Sequence, residues 1–216
     1  MINPGLPLFI SHATIVSAVG RGKSSLWRAL QSDRSGLVPN DFAQAKLDCW
    51  IGPVAGLEDE TMEPEFRRFD CRNNRLAQVA LHQDGFLSAV DALKRRLDPK
   101  RIGLFLGTST SGILSTEEAF RTFRRTRAWP AEFHYQETQD LFSVTDYVRE
   151  RLGLEGAAFT ISTACSSSAK VFCEAQRFIV SGMCDAAVVG GVDSLCYTTL
   201  FGFNSLELVS DQPCRP

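Results

Sequence analysis

Cys165 stands in the run Ile161-Ser162-Thr163-Ala164-Cys165-Ser166-Ser167-Ser168, where one apolar stretch ends and another begins. A thiol at a strand-to-helix junction lies beside unpaired backbone N–H groups and the positive end of a helix dipole. That setting favours the thiolate, the form that attacks a thioester. The small residues around it leave room for a substrate and let the chain turn sharply. A free cysteine is also among the most buried residue types, so the junction by itself leaves an inert core thiol equally open. Cys173, Cys184 and Cys196 lie inside apolar stretches and read as core. The seven cysteines include no CxxC pair, which points to reduced thiols and away from a zinc or other metal site.

Other chemistry-bearing groups are sparser. Gly107-Thr108-Ser109-Thr110-Ser111-Gly112 is a small-residue turn after an apolar strand, readable as ordinary turn chemistry or as a pocket-lining loop. Phe203, in Phe201-Gly202-Phe203, reads as a core aromatic or as a cavity wall. The histidines His12, His82 and His134 form no recognisable base for Cys165, which argues against a cysteine hydrolase. Gly20-Arg21-Gly22-Lys23-Ser24 ends like a phosphate-binding loop, but Ser17 stands where the first glycine is required. Ser25 likewise breaks the dinucleotide fingerprint. Arg121, Arg124, Arg125 and Arg127 form a basic cluster, more often a solvated helix face than a receptor for an acidic partner.

The elements that must position these residues alternate. Leu8 to Val16 predicts a first strand, and Ser24 to Ser32 a helix. Residues 33–68, with Gly36, Pro39, Gly52, Pro53, Gly56 and Pro64, predict loop and edge structure. The apolar spacing from Asn73 to Leu97 predicts one long helix that Gly85 interrupts without ending. A strand over Arg101 to Leu106 leads into helical sequence through Phe123, and a helix over Val144 to Leu152 closes on Gly153. Strand Ala157 to Ser162, helix Ser166 to Ser181 and strand Ala186 to Val189 complete the pattern. Alternation of this kind predicts a layered α/β fold with a largely parallel sheet.

At 216 residues and 44% hydrophobic, the chain can bury the core of one domain. A formal charge of −2 gives no pull toward nucleic acid or an anionic membrane. The first seven residues lack the pattern of a signal peptide, and no apolar run approaches the ~20 residues of a membrane span, so a cytoplasmic location is expected.

The run Ser162 to Ser168, followed by Gly182-Met183-Cys184-Asp185-Ala186-Ala187-Val188-Val189-Gly190-Gly191-Val192-Asp193, resembles the active-site region of β-ketoacyl-acyl-carrier-protein synthases and the matching domains of polyketide synthases. Three further stretches resemble the same family in the same order. They are Ser17 to Gly22 with Leu26 to Leu30 and Arg34 to Gly36, then Gly103 to Thr108, and finally Ser210 through Cys214-Arg215-Pro216. The resemblance implies a thiolase-like layered α/β/α fold with a mostly parallel mixed sheet, of which residues 1–216 would be the N-terminal half of a pseudo-duplicated whole. It implies decarboxylative Claisen condensation in fatty-acid, polyketide or aryl-polyene synthesis, with Cys165 as nucleophile and its own N–H as one oxyanion donor. It also places Thr108, Thr110 and Phe203 at the substrate, with Thr110 where many relatives carry a bulky aliphatic gate. That hints at a roomier or more polar pocket. The implied partners are an acyl carrier protein, whose phosphopantetheine carries the substrates so that no cofactor of the enzyme's own is needed, and a second ketosynthase-like chain paired around the strand before the cysteine, as a homodimer or heterodimer.

The sequence departs from that pattern in one respect. The two histidines with which the family binds the malonyl thioester belong to a second half not matched here, and none of His12, His82 and His134 falls in such a motif. Acylation of Cys165 without condensation is therefore expected of this chain alone. A non-catalytic chain-length-factor-like partner and an inactive truncated fragment are the alternatives.

Overall fold

The computed structural model describes residues 7–213; the Cys214-Arg215-Pro216 end of the last matching stretch and the first six residues lie outside the described part. Two short antiparallel hairpins, β1 (Val16–Ser17) with β2 (Gly20–Arg21) and β3 (Val38–Pro39) with β4 (Trp50–Ile51), flank helix α1 (Lys23–Gln31). After a 3₁₀ segment at Pro64–Phe69 come α2 (Arg72–Leu81), α3 (Phe86–Lys94), β5 (Ile102–Gly107), α4 (Ile113–Thr126), α5 (Ser143–Leu152), β6 (Ala158–Ile161), α6 (Ser167–Val180), β7 (Ala186–Gly191) and α7 (Tyr197–Ser205).

Strands β6, β5 and β7 form a parallel sheet in the order β6-β5-β7, with Leu104 opposite Ala158 and Val188. Because side chains alternate along a strand, β5 sends Ile102, Leu104 and Leu106 to one face and Phe105 to the other. The first three join Val144, Tyr147, Val148 and Leu152 of α5, Ala77 and Leu81 of α2 and Val90 of α3 in the main core. Phe105 packs on the opposite face with Val171 and Ala175 of α6, its ring 5.0 Å from that of Phe178. Every residue of β5 is buried, which accounts for a strand that reads as an unbroken apolar run. Burying each such large side chain contributes about 1.5–3 kcal/mol.

Three expectations are corrected. Leu8 to Val16 forms no strand apart from Val16 itself; Phe9 is 91% and Ile10 66% exposed, and a strand requires a neighbour to share hydrogen bonds, which the described residues do not provide there. The long helix from Asn73 is two helices. Asp84 and Gly85 both take left-handed backbone angles (φ 56° and 70°), which break the α-helical hydrogen-bond ladder and redirect the chain. Cys173 is exposed and not core, because α6 turns that face toward the open edge of β6, whereas Cys184 and Cys196 are buried as expected. The helix over residues 143–152 closes on Gly153, in the left-handed conformation with φ 60°.

Candidate active site

The turn between β6 and α6 carries Cys165 exposed at the N-terminal end of the helix. Its geometry is set by Ala164, which holds a left-handed φ of 54° that costs a residue with a Cβ about 1–2 kcal/mol. Hydrogen bonds hold that conformation in place. The Ala164 carbonyl accepts from the Ser167 N–H (3.0 Å), the Ser167 hydroxyl (2.7 Å) and the Ser109 hydroxyl (3.1 Å). Ser167 Oγ also accepts from the Thr163 N–H at 2.9 Å, and the Ser166 hydroxyl donates to the Thr163 carbonyl at 2.9 Å. The serines that follow the thiol therefore fasten the bend that presents it.

Helix α6 reaches this position because β5 ends in Gly107. A Cβ there would lie 2.6 Å from the Ser167 carbonyl carbon and 2.7 Å from the Ser168 nitrogen. Gly191 at the end of β7 plays the same part, since a Cβ on it would fall 1.8 Å from Ser168 Oγ. Two glycines on neighbouring strands thus let the first turn of the cysteine-bearing helix settle onto the sheet.

A cavity of about 390 Å³ opens beside the thiol, lined by Cys165, Ala164, Ser109, Thr110, Asp193 and Phe203 among others. Of the residues singled out from the sequence, Cys165, Thr110 and Phe203 come together here. Thr108 does not line the cavity. It is fully buried behind the wall, its hydroxyl accepting from the Ser111 N–H at 3.0 Å. The Thr110 hydroxyl lies 3.0 Å from Asp193 Oδ1 and accepts from the Ser194 N–H at 3.0 Å, so it is occupied in holding the loop.

The buried thiols differ from Cys165 in their surroundings. Burial pushes Cys71 up to about 11, and desolvation likewise raises Cys184 and Cys196, which keeps these groups protonated and unreactive. No histidine lines the cavity, and the His82 ring is engaged with Glu63 at 3.0 Å. Among the described residues there is no cluster of three metal-ligating side chains.

Asp193 and Ser109 stand inside the motifs quoted from the sequence, but neither was singled out as a site residue. A carboxylate directly after Gly190-Gly191-Val192, at the C-terminal end of a parallel strand, was the available signal, since that end of a parallel sheet is where sites form.

The sequence model of the family described as the β-ketoacyl synthase N-terminal domain matches residues 11–216. The chain belongs to this family. The hybrid PKS-NRPS synthetase TAS1 of Cordyceps militaris is 27% identical over 97% of this chain and 14% of its own length. The 3-oxoacyl-[acyl-carrier-protein] synthase 2 of Rhizobium meliloti is 26% identical over 94% of this chain and 51% of that protein. Among solved structures, the complex of the ketosynthase ApeO with its chain length factor ApeC from Xenorhabdus doucetiae matches with a TM-score of 0.83 and 31% identity, covering 96% of this chain and 52% of that one. The fold is that of the thiolase-like ketosynthases, and the chain spans about half the length of the single-function synthases it matches. The relatives named in these comparisons include a 3-oxoacyl-[acyl-carrier-protein] synthase and polyketide synthases.

Proposed function

We propose that Cys165 is the acyl-accepting nucleophile of a β-ketoacyl-acyl-carrier-protein synthase. The observation that carries this reading is the exposed thiol on a hydrogen-bonded, left-handed bend at the mouth of a cavity. In the first half-reaction the Cys165 sulfur attacks the thioester carbonyl of an acyl-acyl-carrier protein. The pantetheine C–S bond breaks, and the carrier leaves as a thiol with the acyl group on Cys165. In the second, malonyl-acyl-carrier protein loses carbon dioxide, and the resulting carbanion forms a C–C bond to the Cys165 thioester carbonyl and expels the cysteine sulfur. Donors aimed at the oxyanion lower both barriers, and the Cys165 N–H is one of them. No histidine is among the residues lining this cavity, so acylation of Cys165 and condensation are measured as separate steps.

The candidate surface for an acidic carrier protein is the end of α4, where Arg124, Arg125 and Arg127 are exposed, although such a basic face is more often simply solvated. Arg121 is exposed as well, with its guanidinium 3.9 Å above the Tyr197 ring. A second ketosynthase-like chain adds to the open edge of β6. There a groove of about 590 Å³ is lined by Phe159, Ile161 and Phe178 with Lys170, Glu174 and Arg177, and Phe159 is 43% exposed. Unpaired strand edges of this kind invite pairing. The intact cysteine turn disfavours a non-catalytic chain-length-factor role.

The test is incubation of the full-length protein with acyl- and malonyl-acyl-carrier protein. The expected result is a β-ketoacyl-carrier product that is lost in Cys165→Ala. Product formation undiminished by that substitution overturns the assignment.

A further inference from the structure

The Cys165 bend is tied to a carboxylate two residues beyond the end of β7. Asp193 Oδ1 accepts from the Ser109 N–H (2.7 Å), the Thr110 N–H (3.0 Å) and the Thr110 hydroxyl (3.0 Å), and lies 3.3 Å from the Thr108 hydroxyl. One oxygen thus gathers the whole turn after β5. The same Ser109 whose amide Asp193 holds donates its hydroxyl to the Ala164 carbonyl at 3.1 Å and touches Ser167 Oγ at 3.3 Å. The path from Asp193 to the thiol therefore runs through two residues, Ser109 and Ala164. The carboxylate sets the Ser109 backbone, the Ser109 hydroxyl holds the Ala164 carbonyl, and Ala164 in its left-handed conformation aims Cys165. Backbone bonds connect the same strands, since the Val192 N–H donates to the Gly107 carbonyl at 3.0 Å.

We infer that Asp193 is a positioning residue for Cys165, acting through Ser109 to hold the left-handed Ala164. The inference rests on the reading of Cys165 as nucleophile and goes beyond it, since Asp193 acts on the thiol through the Ser109 hydroxyl. An ionised acceptor makes hydrogen bonds roughly twice as strong as a neutral one, and a carboxylate can gather several amide donors without a donor of its own to place. The expected dependence is accordingly on the acceptor oxygen first and on the charge second.

The test compares Asp193→Ala, Asp193→Asn and Ser109→Ala in single-turnover acylation of Cys165 by acyl-acyl-carrier protein, together with hydrogen exchange of the 163–167 backbone. Asp193→Ala is expected to slow acylation at least tenfold and to speed exchange at 163–167 while leaving exchange in β5 unchanged. Asp193→Asn keeps the acceptor oxygen and is expected to recover to within about threefold of wild type. Ser109→Ala removes only the second link, and its loss is expected not to add to that of Asp193→Ala, because neighbours in one network are not additive. Wild-type acylation and exchange in both alanine variants overturn the inference. If Asp193→Ala fails to fold, Ser109→Ala decides alone: an unchanged acylation rate overturns, and a several-fold loss supports. Loss of acylation in Asp193→Asn equal to that in Asp193→Ala, with exchange raised throughout β5, also overturns it, because the effect is then general stability. An acyl adduct that survives in Cys165→Ala refutes the underlying nucleophile reading separately.

Discussion

Replacing Gly107 with alanine adds one methyl group at the point where α6 rests on the sheet. The new Cβ would stand 2.6 Å from the Ser167 carbonyl carbon and 2.7 Å from the Ser168 nitrogen. Unstrained contacts of this type lie at about 3.5–4.0 Å, so the first turn of α6 must retreat by about 1 Å. Both obstructing atoms are backbone, and no side-chain rotation relieves the contact. Overpacking of this size costs about 1–3 kcal/mol, which in a chain of this length lowers Tm by roughly 2–12 °C. The larger effect is on chemistry, because the displaced turn carries Cys165 and a misplacement of about 1 Å costs on the order of 10²-fold in rate. The assay is single-turnover acylation by acyl-acyl-carrier protein below the unfolding transition, with Gly202→Ala as control, since a Cβ on Gly202 meets nothing within 4 Å. A Gly107→Ala protein that stays folded and acylates at the control's rate refutes the claim that α6 docking positions the thiol.

Three further outcomes are expected. Leu104, 1% exposed at the centre of the sheet, should cost about 2–5 kcal/mol when changed to alanine, read from denaturant unfolding. The folded-state value of Cys71, about 11, lies above its ordinary 9.0. Its contribution to stability is therefore complete below pH 9 and is lost as pH rises from 9 to about 11. The loss amounts to about 2–3 kcal/mol, and an unfolding series in Cys71→Ala should show a shallower alkaline fall. Mild alkylation should modify Cys165 and Cys173, both exposed, well before Cys49, Cys71, Cys184 and Cys196, as peptide mapping would show; early labelling of these four buried thiols would contradict their placement.

The parts of the fold legible in the sequence are those where local pattern and tertiary environment agree. Arg101 to Leu106 read as a strand, within one residue of β5, because both faces of that strand are covered, and Val144 to Leu152 read as a helix because Gly153 ends it in the left-handed conformation. The Cys165 junction was visible for a similar reason: an apolar strand, a run of small residues and an apolar helix adjoin in sequence. What stayed hidden depends on distant partners. Cys173 sits in an apolar run whose exposure is decided by which face of α6 meets the sheet. Ser109 and Asp193 meet across 84 residues, and no periodicity encodes that hydrogen bond. The role of the Thr110 hydroxyl followed from the same contact. A threonine at a pocket position suggests a more polar wall, yet its oxygen is engaged by Asp193 and Ser194.

The most direct measurement is a peptide-level mass map of the protein after exposure to an acyl-acyl-carrier protein. A thioester-linked acyl group is expected on Cys165, with none on Cys173, which is also exposed, and no adduct is expected in Cys165→Ala. Acylation shared between the two exposed thiols, or persisting after the substitution, would contradict a nucleophile made by the bend at Ala164.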